Sequence, residues 1–205
     1  MIDRLFGALA GARKDAGDEA AVFYAESQTA DSAATSPQTF LKLQRLDASG
    51  LPRGEVVNLG TLVPYSLSTM TIASDGTRYL ACWADDTQLN CATVPVGEGS
   101  ATAVLQQAGT APAVAYGAGR WALARTNAGQ ISMTWFTNDS LAFPAPVTFE
   151  AGAGPNGKQT SLLAANDLGF VLVAAGLTWC LEDPSRSAEA GYELADVQKM
   201  FLKLA

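Results

Sequence analysis

Apolar and polar residues alternate along short stretches of this chain, and turn-forming tracts interrupt them at regular intervals. The segment "TIASDGTRYLACWADDTQLNCATV" (71–94) reads as three strands joined by two polar turns, with Asp and Gly supplying the backbone freedom of the bends. The unit comes back. Residues 72–83 read "IASDGTRYLACW", 114–125 read "VAYGAGRWALAR", and 163–174 read "LAANDLGFVLVA". In each, an aliphatic–Ala pair leads to a turn and an aromatic follows seven residues after the aliphatic, giving Tyr79, Trp121 and Phe170. A third strand follows every time ("LNCATV", "ISMTWF", "LTWCLE"), and a fourth is predicted in "TAVLQQ" (102–107) and "PVTFE" (146–150).

Four antiparallel strands at a period of about 40–50 residues is the pattern of β-propeller blades. An earlier, partial copy occupies "AAVFYAESQ", "FLKLQRL" and "GEVVNLG" (20–28, 40–46, 54–60), with "DASG" (47–50) as a turn. The prediction is an all-β chain: a small or partial β-propeller of about four blade-like units at about 20–60, 69–107, 112–150 and 160–184, the first lacking its innermost strand. Tyr79, Trp121 and Phe170 are then equivalent residues buried between sheets, each covering about 150–250 Å².

The ends break the pattern. Residues 1–19 place Ile2, Leu5, Phe6 and Leu9 at helical spacing and predict an amphipathic helix. Asp3 interrupts the apolar run, and the segment falls short of a secretory leader. Residues 185–205 place Leu194, Val197, Phe201 and Leu204 on one helical face. Because "FLKL" occurs at both 40–43 and 201–204, a strand closing the first blade is the competing reading of that tail.

Composition narrows the function classes. The 205 residues are 48% hydrophobic and 16% charged, the balance of a packed globular protein. A net charge of −7, with Lys and Arg scattered, argues against nucleic acid or anionic lipid as a partner. The most apolar stretch, "LGFVLVAAGLTWCL" (168–181), is too short to span a bilayer. There is no histidine, which excludes Ser-His-Asp and Cys-His nucleophiles and every His-containing zinc site.

Three cysteines, without CxxC spacing, make no disulfide framework. One pair is singled out by counting back from a two-residue turn at Asp86 and Thr87. That count sets Cys82 opposite Cys91 and predicts a cross-strand disulfide in an oxidising compartment, or two buried thiols in a reducing one. The loop is short, so the bridge would contribute about 2–3 kcal/mol at most. Cys180 faces no cysteine in the same scheme.

"LKLQRLDASGLPRGEVVNLG" followed by "MTIASDGTRYLACW" resembles the repeats of bacterial secreted and surface β-propellers, which run "aRLDasG" and then "P.vA.dG..YLVVW". "TNDSLAF" (137–143) more faintly resembles the Asp-box turn of sialidase-like propellers. Asp139 matches, while Leu141 replaces the usual Gly. The resemblance implies a propeller fold and an extracellular or cell-surface location. It says little about function, because the fold hosts many chemistries.

Three motifs remain as candidate chemistry. "GAGPNGKQT" (152–160) has the Gly152, Gly157 and Lys158 of a phosphate loop, but Gln159 stands where Ser or Thr should hold Mg²⁺, so an inter-blade loop is expected. Arg78 and Arg120 occupy equivalent places before successive aromatics, whereas the third copy has Gly169; a sialidase-like arginine cluster is therefore incomplete. Asp75, Asp85 and Asp86 lie in turns and are read as turn formers rather than calcium ligands.

The expectation is a non-catalytic binding or structural module with no cofactor or metal. It would be surface-displayed or part of a larger assembly, contact protein or glycan through its loops, and form an oligomer or dock through its terminal segments. A glycosidase-like propeller enzyme and a virion-type or cytoplasmic structural subunit are the alternatives.

Overall fold

The computed structural model describes residues 2–12, 19–28, 38–62, 69–85, 88–127, 130–137, 147–149, 161–166, 169–174 and 177–181. Every regular element among them is a β-strand, and all strand pairs are antiparallel between chain neighbours. The first sheet runs β1 (Ile2–Ala12), β2 (Glu19–Gln28), β3 (Gln38–Leu46), β4 (Pro52–Leu62). The second runs β5 (Thr69–Ser74), β6 (Arg78–Ala84), β7 (Gln88–Pro95), β8 (Thr102–Ala108). The third comprises β9 (Thr110–Gly117), β10 (Arg120–Asn127), β11 (Gln130–Phe136) and β12 (Val147–Phe149), and the fourth β13 (Ser161–Asn166), β14 (Gly169–Ala174) and β15 (Leu177–Leu181). Among the described residues each sheet is an open meander with two edge strands. The chain divides into two compact units, Met1–Thr110 and Ala111–Ala205.

The N-terminal helix is a correction. Ile2–Ala12 is a strand, running from Leu5 opposite Glu26 to Ala12 opposite Glu19, and it gives the first sheet the fourth strand that the sequence pattern there was expected to lack. The physical reason lies in both partners. Gly7 and Gly11 each weaken a helix by about 1 kcal/mol relative to Ala, and β2 would otherwise keep an unpaired edge. The terminal segment at 185–205, helix or closing strand, lies outside the described residues, as does the phosphate-loop-like stretch 152–160.

In the first unit, two sheets share one core. Strict alternation buries Ala21, Phe23 and Ala25 of β2 and Leu41 and Leu43 of β3. They pack with Val57 against Ile72, Tyr79, Ala81, Trp83, Ala92 and Val94 of the second sheet. Phe23 meets Trp83 edge-on, with ring centroids 6.0 Å apart. The second unit has its own core. Ala113, Ala115, Ala122, Ala124, Ile131 and Met133 of the third sheet pack on Leu163, Phe170 and Leu172 of the fourth.

Tyr79, Trp121 and Phe170 each occupy the second position of the second strand in their sheets. The pairings Ser74 with Tyr79 and Ala165 with Phe170 have the same register relative to the turn. Their exposures are 0%, 1% and 3%. Tyr79 belongs to the core shared with the first sheet, and Phe170 to that shared with the third, in both cases the preceding sheet in the chain. Trp121 lies on the face of β10 opposite Ala122 and Ala124, against Tyr116 (centroids 5.0 Å) and Phe136 (6.4 Å).

Candidate functional site

The alternation that buries the first core does not stop at apolar residues. On β2 the phase of Ala21, Phe23 and Ala25 continues back to Glu19, and on β3 the phase of Leu41 and Leu43 continues to Arg45. Both side chains are therefore carried into the interior at one end of the core. Their exposures are 4% and 3%. A buried charge is tolerated only when paired and hydrogen-bonded, and the partners come from the second sheet.

Tyr79 Oη donates to Glu19 Oε1 at 3.2 Å. The backbone N–H of Gly97 donates to Glu19 Oε1 and Oε2, both at 3.2 Å. Arg45 donates through Nε and Nη2 to the carbonyl of Pro95, at 3.2 and 3.0 Å, and through Nη2 to the carbonyl of Gly99 at 2.9 Å. Its Nε lies 3.9 Å from Glu19 Oε1, and the more exposed Arg53 brings Nη1 within 3.7 Å of Glu19 Oε2.

The outcome is mechanical. One carboxylate and one guanidinium, fixed on adjacent strands of the first sheet, grip the β7–β8 loop at three backbone groups. Gly97 (φ 90°) and Gly99 (φ 126°) let that loop adopt the left-handed turns that present those groups, a conformation costly for any residue with a Cβ.

Burial holds the Tyr79 phenol above its ordinary value, reinforced by the charge and hydrogen bond of Glu19 and opposed by Arg45. The neutral phenol is thus favoured in the folded state. Its contribution is fully present below the unfolded-state value of about 10 and is lost as pH rises from there towards the folded value. Denaturant titrations across pH 9 to 11 are expected to show stability falling more steeply for the wild type than for Tyr79→Phe. Parallel curves for the two proteins would contradict the buried phenol.

A cleft of about 640 Å³ opens beside the gripped loop, between residues 54–58 of β4 and residues 97–101, with Arg45 in its lining. Glu55, Asn58, Glu98 and Ser100 supply its polar side chains. Sequence reasoning missed this site. Its signal was the phase of Glu19 and Arg45, two charges in register with an apolar face.

The residues singled out by sequence lie elsewhere. Cys82 is opposite Cys91 and joined to it by a disulfide, with Cα atoms 4.1 Å apart. Residue 180 pairs with Val171, in the other unit. Arg78 Nε lies 3.6 Å from Asp75 Oδ2, and Arg120 is exposed at the start of β10. Asp75 Oδ1 accepts from the amides of Thr77 and Arg78 at 2.7 Å each, and Asp85 Oδ1 accepts from the amide of Gln88 at 2.6 Å. Both are closing turns. Asp86, Asp139 and Leu141 lie outside the described residues. Among the described residues, no three His, Cys, Asp or Glu side chains converge as a metal site would require, and no helix is long and apolar enough to cross a membrane.

No family model matches the chain, and no curated protein matches it. Solved structures do. A puromycin-hydrolyzing peptidase of Mycobacterium tuberculosis is similar over 83% of this chain and 26% of its own, at 12% identity and a TM-score of 0.50. An α-L-arabinofuranosidase of Lactobacillus brevis is similar over 82% of this chain and 63% of its own, at 13% identity and a TM-score of 0.39. The chain therefore spans about a quarter of the peptidase and under two thirds of the glycosidase. At such identity the likeness to the peptidase is one of fold alone.

Proposed function

We propose that this chain is a non-catalytic binding module, built from propeller-like blades, that contacts a protein or glycan partner through the loops at one end of its sheets. The observation that carries this reading is the use made of the buried charges. In the first unit, Glu19 and Arg45 are committed to holding backbone, and what they hold is one wall of an open cleft. A preorganised wall favours binding because little conformational entropy is lost when the ligand arrives. Loops fixed by a rigid scaffold are where such contacts concentrate. The site geometry suits a surface-displayed module and a subunit of a larger assembly alike; the sequence resemblance to bacterial surface repeats is what favours the former.

The test pairs binding with turnover. Glycan and protein arrays are probed with the wild type and with a variant whose cleft is obstructed by Ser100→Arg. The same preparations are incubated with chromogenic arabinosides, sialosides and peptide amides. A ligand retained by the wild type and lost on obstruction is the expected result. Hydrolysis by the wild type that is lost in the variant would replace this reading with the glycosidase-like enzyme or a peptidase.

A further inference from the structure

The cleft has a second wall whose chemistry is more specific than its size. Among the described residues, β4 is an edge strand, paired with β3 alone. Its register slips between the pairs Leu43–Val57 and Arg45–Arg53, so Gly54, Glu55 and Val56 bulge out of register with β3, with the Gly54 carbonyl accepting from Gln44 Nε2 at 3.5 Å. Five consecutive residues of this strand, 54–58, line the cleft. Side chains alternate between the two faces of a strand, so a run of five brings the strand's outer edge to the cleft, and the outward N–H and C=O groups of an edge strand are able to pair with another chain.

The unpaired charges on the two walls have one sign. Glu55 projects from the bulge and Glu98 from the gripped loop, both exposed and neither with a hydrogen-bond or ion-pair partner among the described residues. The cations close by are already engaged, Arg45 with two carbonyls and Arg53 beside Glu19. Among the described residues no aromatic ring lines the cleft, so they offer a sugar no stacking platform. A second copy of this chain would bring Glu55 against a like-charged edge on a protein of net charge −7. The volume of about 640 Å³ lies within the range of formed ligand sites.

We propose that this cleft binds an extended peptide segment carrying Lys or Arg, which adds to the free edge of β4 at the bulge and places its cationic side chain between Glu55 and Glu98. Strand addition supplies main-chain hydrogen bonds and the paired carboxylates supply selectivity. This inference rests on the binding-module reading and names its partner class.

The experiment titrates the intact, isotope-labelled chain with three synthetic eight-residue probes: one alternating Thr and Lys, one alternating Thr and Glu, and a Thr-Lys probe with alternate backbone nitrogens methylated. Saturable binding of the first probe is expected, with amide shifts confined to residues 54–58 and 97–101 and weakening with salt. The second probe is expected not to bind, and methylation should lower affinity at least about tenfold, because it removes the strand hydrogen bonds. Glu55→Gln/Glu98→Gln, two surface changes that leave the grip of Glu19 and Arg45 intact, should also weaken the first probe about tenfold or more. The proposal is overturned if the basic probe fails to bind, binds with shifts elsewhere, or binds the double variant and the wild type alike. Equal binding of the methylated probe overturns the strand addition. If all probes fail while the arrays still return a ligand blocked by Ser100→Arg, the binding-module reading stands and only the basic-peptide assignment falls.

Discussion

Replacing Arg45 by Met is expected to destabilise the first unit by about 3–5 kcal/mol, the cost of leaving one partner of a buried charge pair alone. Met fills much of the volume of the Arg stem, so lost packing is a minor part of the change. Two consequences dominate. The carbonyls of Pro95 and Gly99 lose the Arg45 donor, and the carboxylate of Glu19 stays buried with the more exposed Arg53 as the remaining cation near it among the described residues. Denaturation midpoints on the wild type and variant measure the loss directly when the slope is unchanged. Adding Glu19→Gln to Arg45→Met should recover part of the stability, since the stranded charge disappears with it. A loss below about 1 kcal/mol, the scale of a surface ion pair, would mean that the grip is ornamental.

Trp121→Ala is expected to cost about 3–5 kcal/mol, the range for truncating a buried large aromatic. The indole is 1% exposed and sits between Tyr116 and Phe136. Its neighbours on the same strand, Ala122 and Leu123, are small or already fully packed and cannot fill the space. Trp121→Phe keeps an aromatic contact on both sides and should lose well under half as much. Chemical denaturation followed by circular dichroism reads both variants, and similar stabilities for all three proteins would contradict the packing described for this face.

Much of the fold was legible because alternation and turn chemistry act locally. The hairpin end where the Asp85 amide bonds the Gln88 carbonyl fixes how β6 and β7 face each other, and the register follows by counting back to Cys82 and Cys91. The aromatics of successive copies share a strand position for the same reason: an ungapped repeat preserves distance from its turn. β1 was misread because Ile2, Leu5, Phe6 and Leu9 satisfy a helical spacing in a segment that also contains two glycines and small residues at alternate positions. Local pattern cannot separate those readings. The waiting edge of β2, Ala20 to Gln28 paired on its other side with β3, decides it.

The site was less visible for a related reason. Arg45 in "LKLQRL" reads as the polar end of a strand, and only its phase with Leu41 and Leu43 hints that it points inwards. Glu19 precedes its strand's apolar run in the same phase. Their meeting with Gly97 and Gly99 depends on how two sheets pack, a relation between residues far apart in the chain. Similarly, the bulge at Gly54–Val56, two residues longer on β4 than on β3, appears only once β4 is laid against β3; its one mark in "GEVV" is Gly54, whose φ of 67° a side chain would oppose.

Residue-resolved amide exchange on the intact chain probes the fixed loop beside the cleft most directly. The Gly97 amide, bonded to both oxygens of a buried carboxylate, should exchange at least about a hundredfold more slowly than an unstructured glycine, with protection approaching that of β6. In Arg45→Met, that protection should drop selectively at residues 97–101 while the amides of β6 remain slow. Exchange of Gly97 at the rate of a free loop in the wild type would contradict the account, because the cleft would then have no preformed wall.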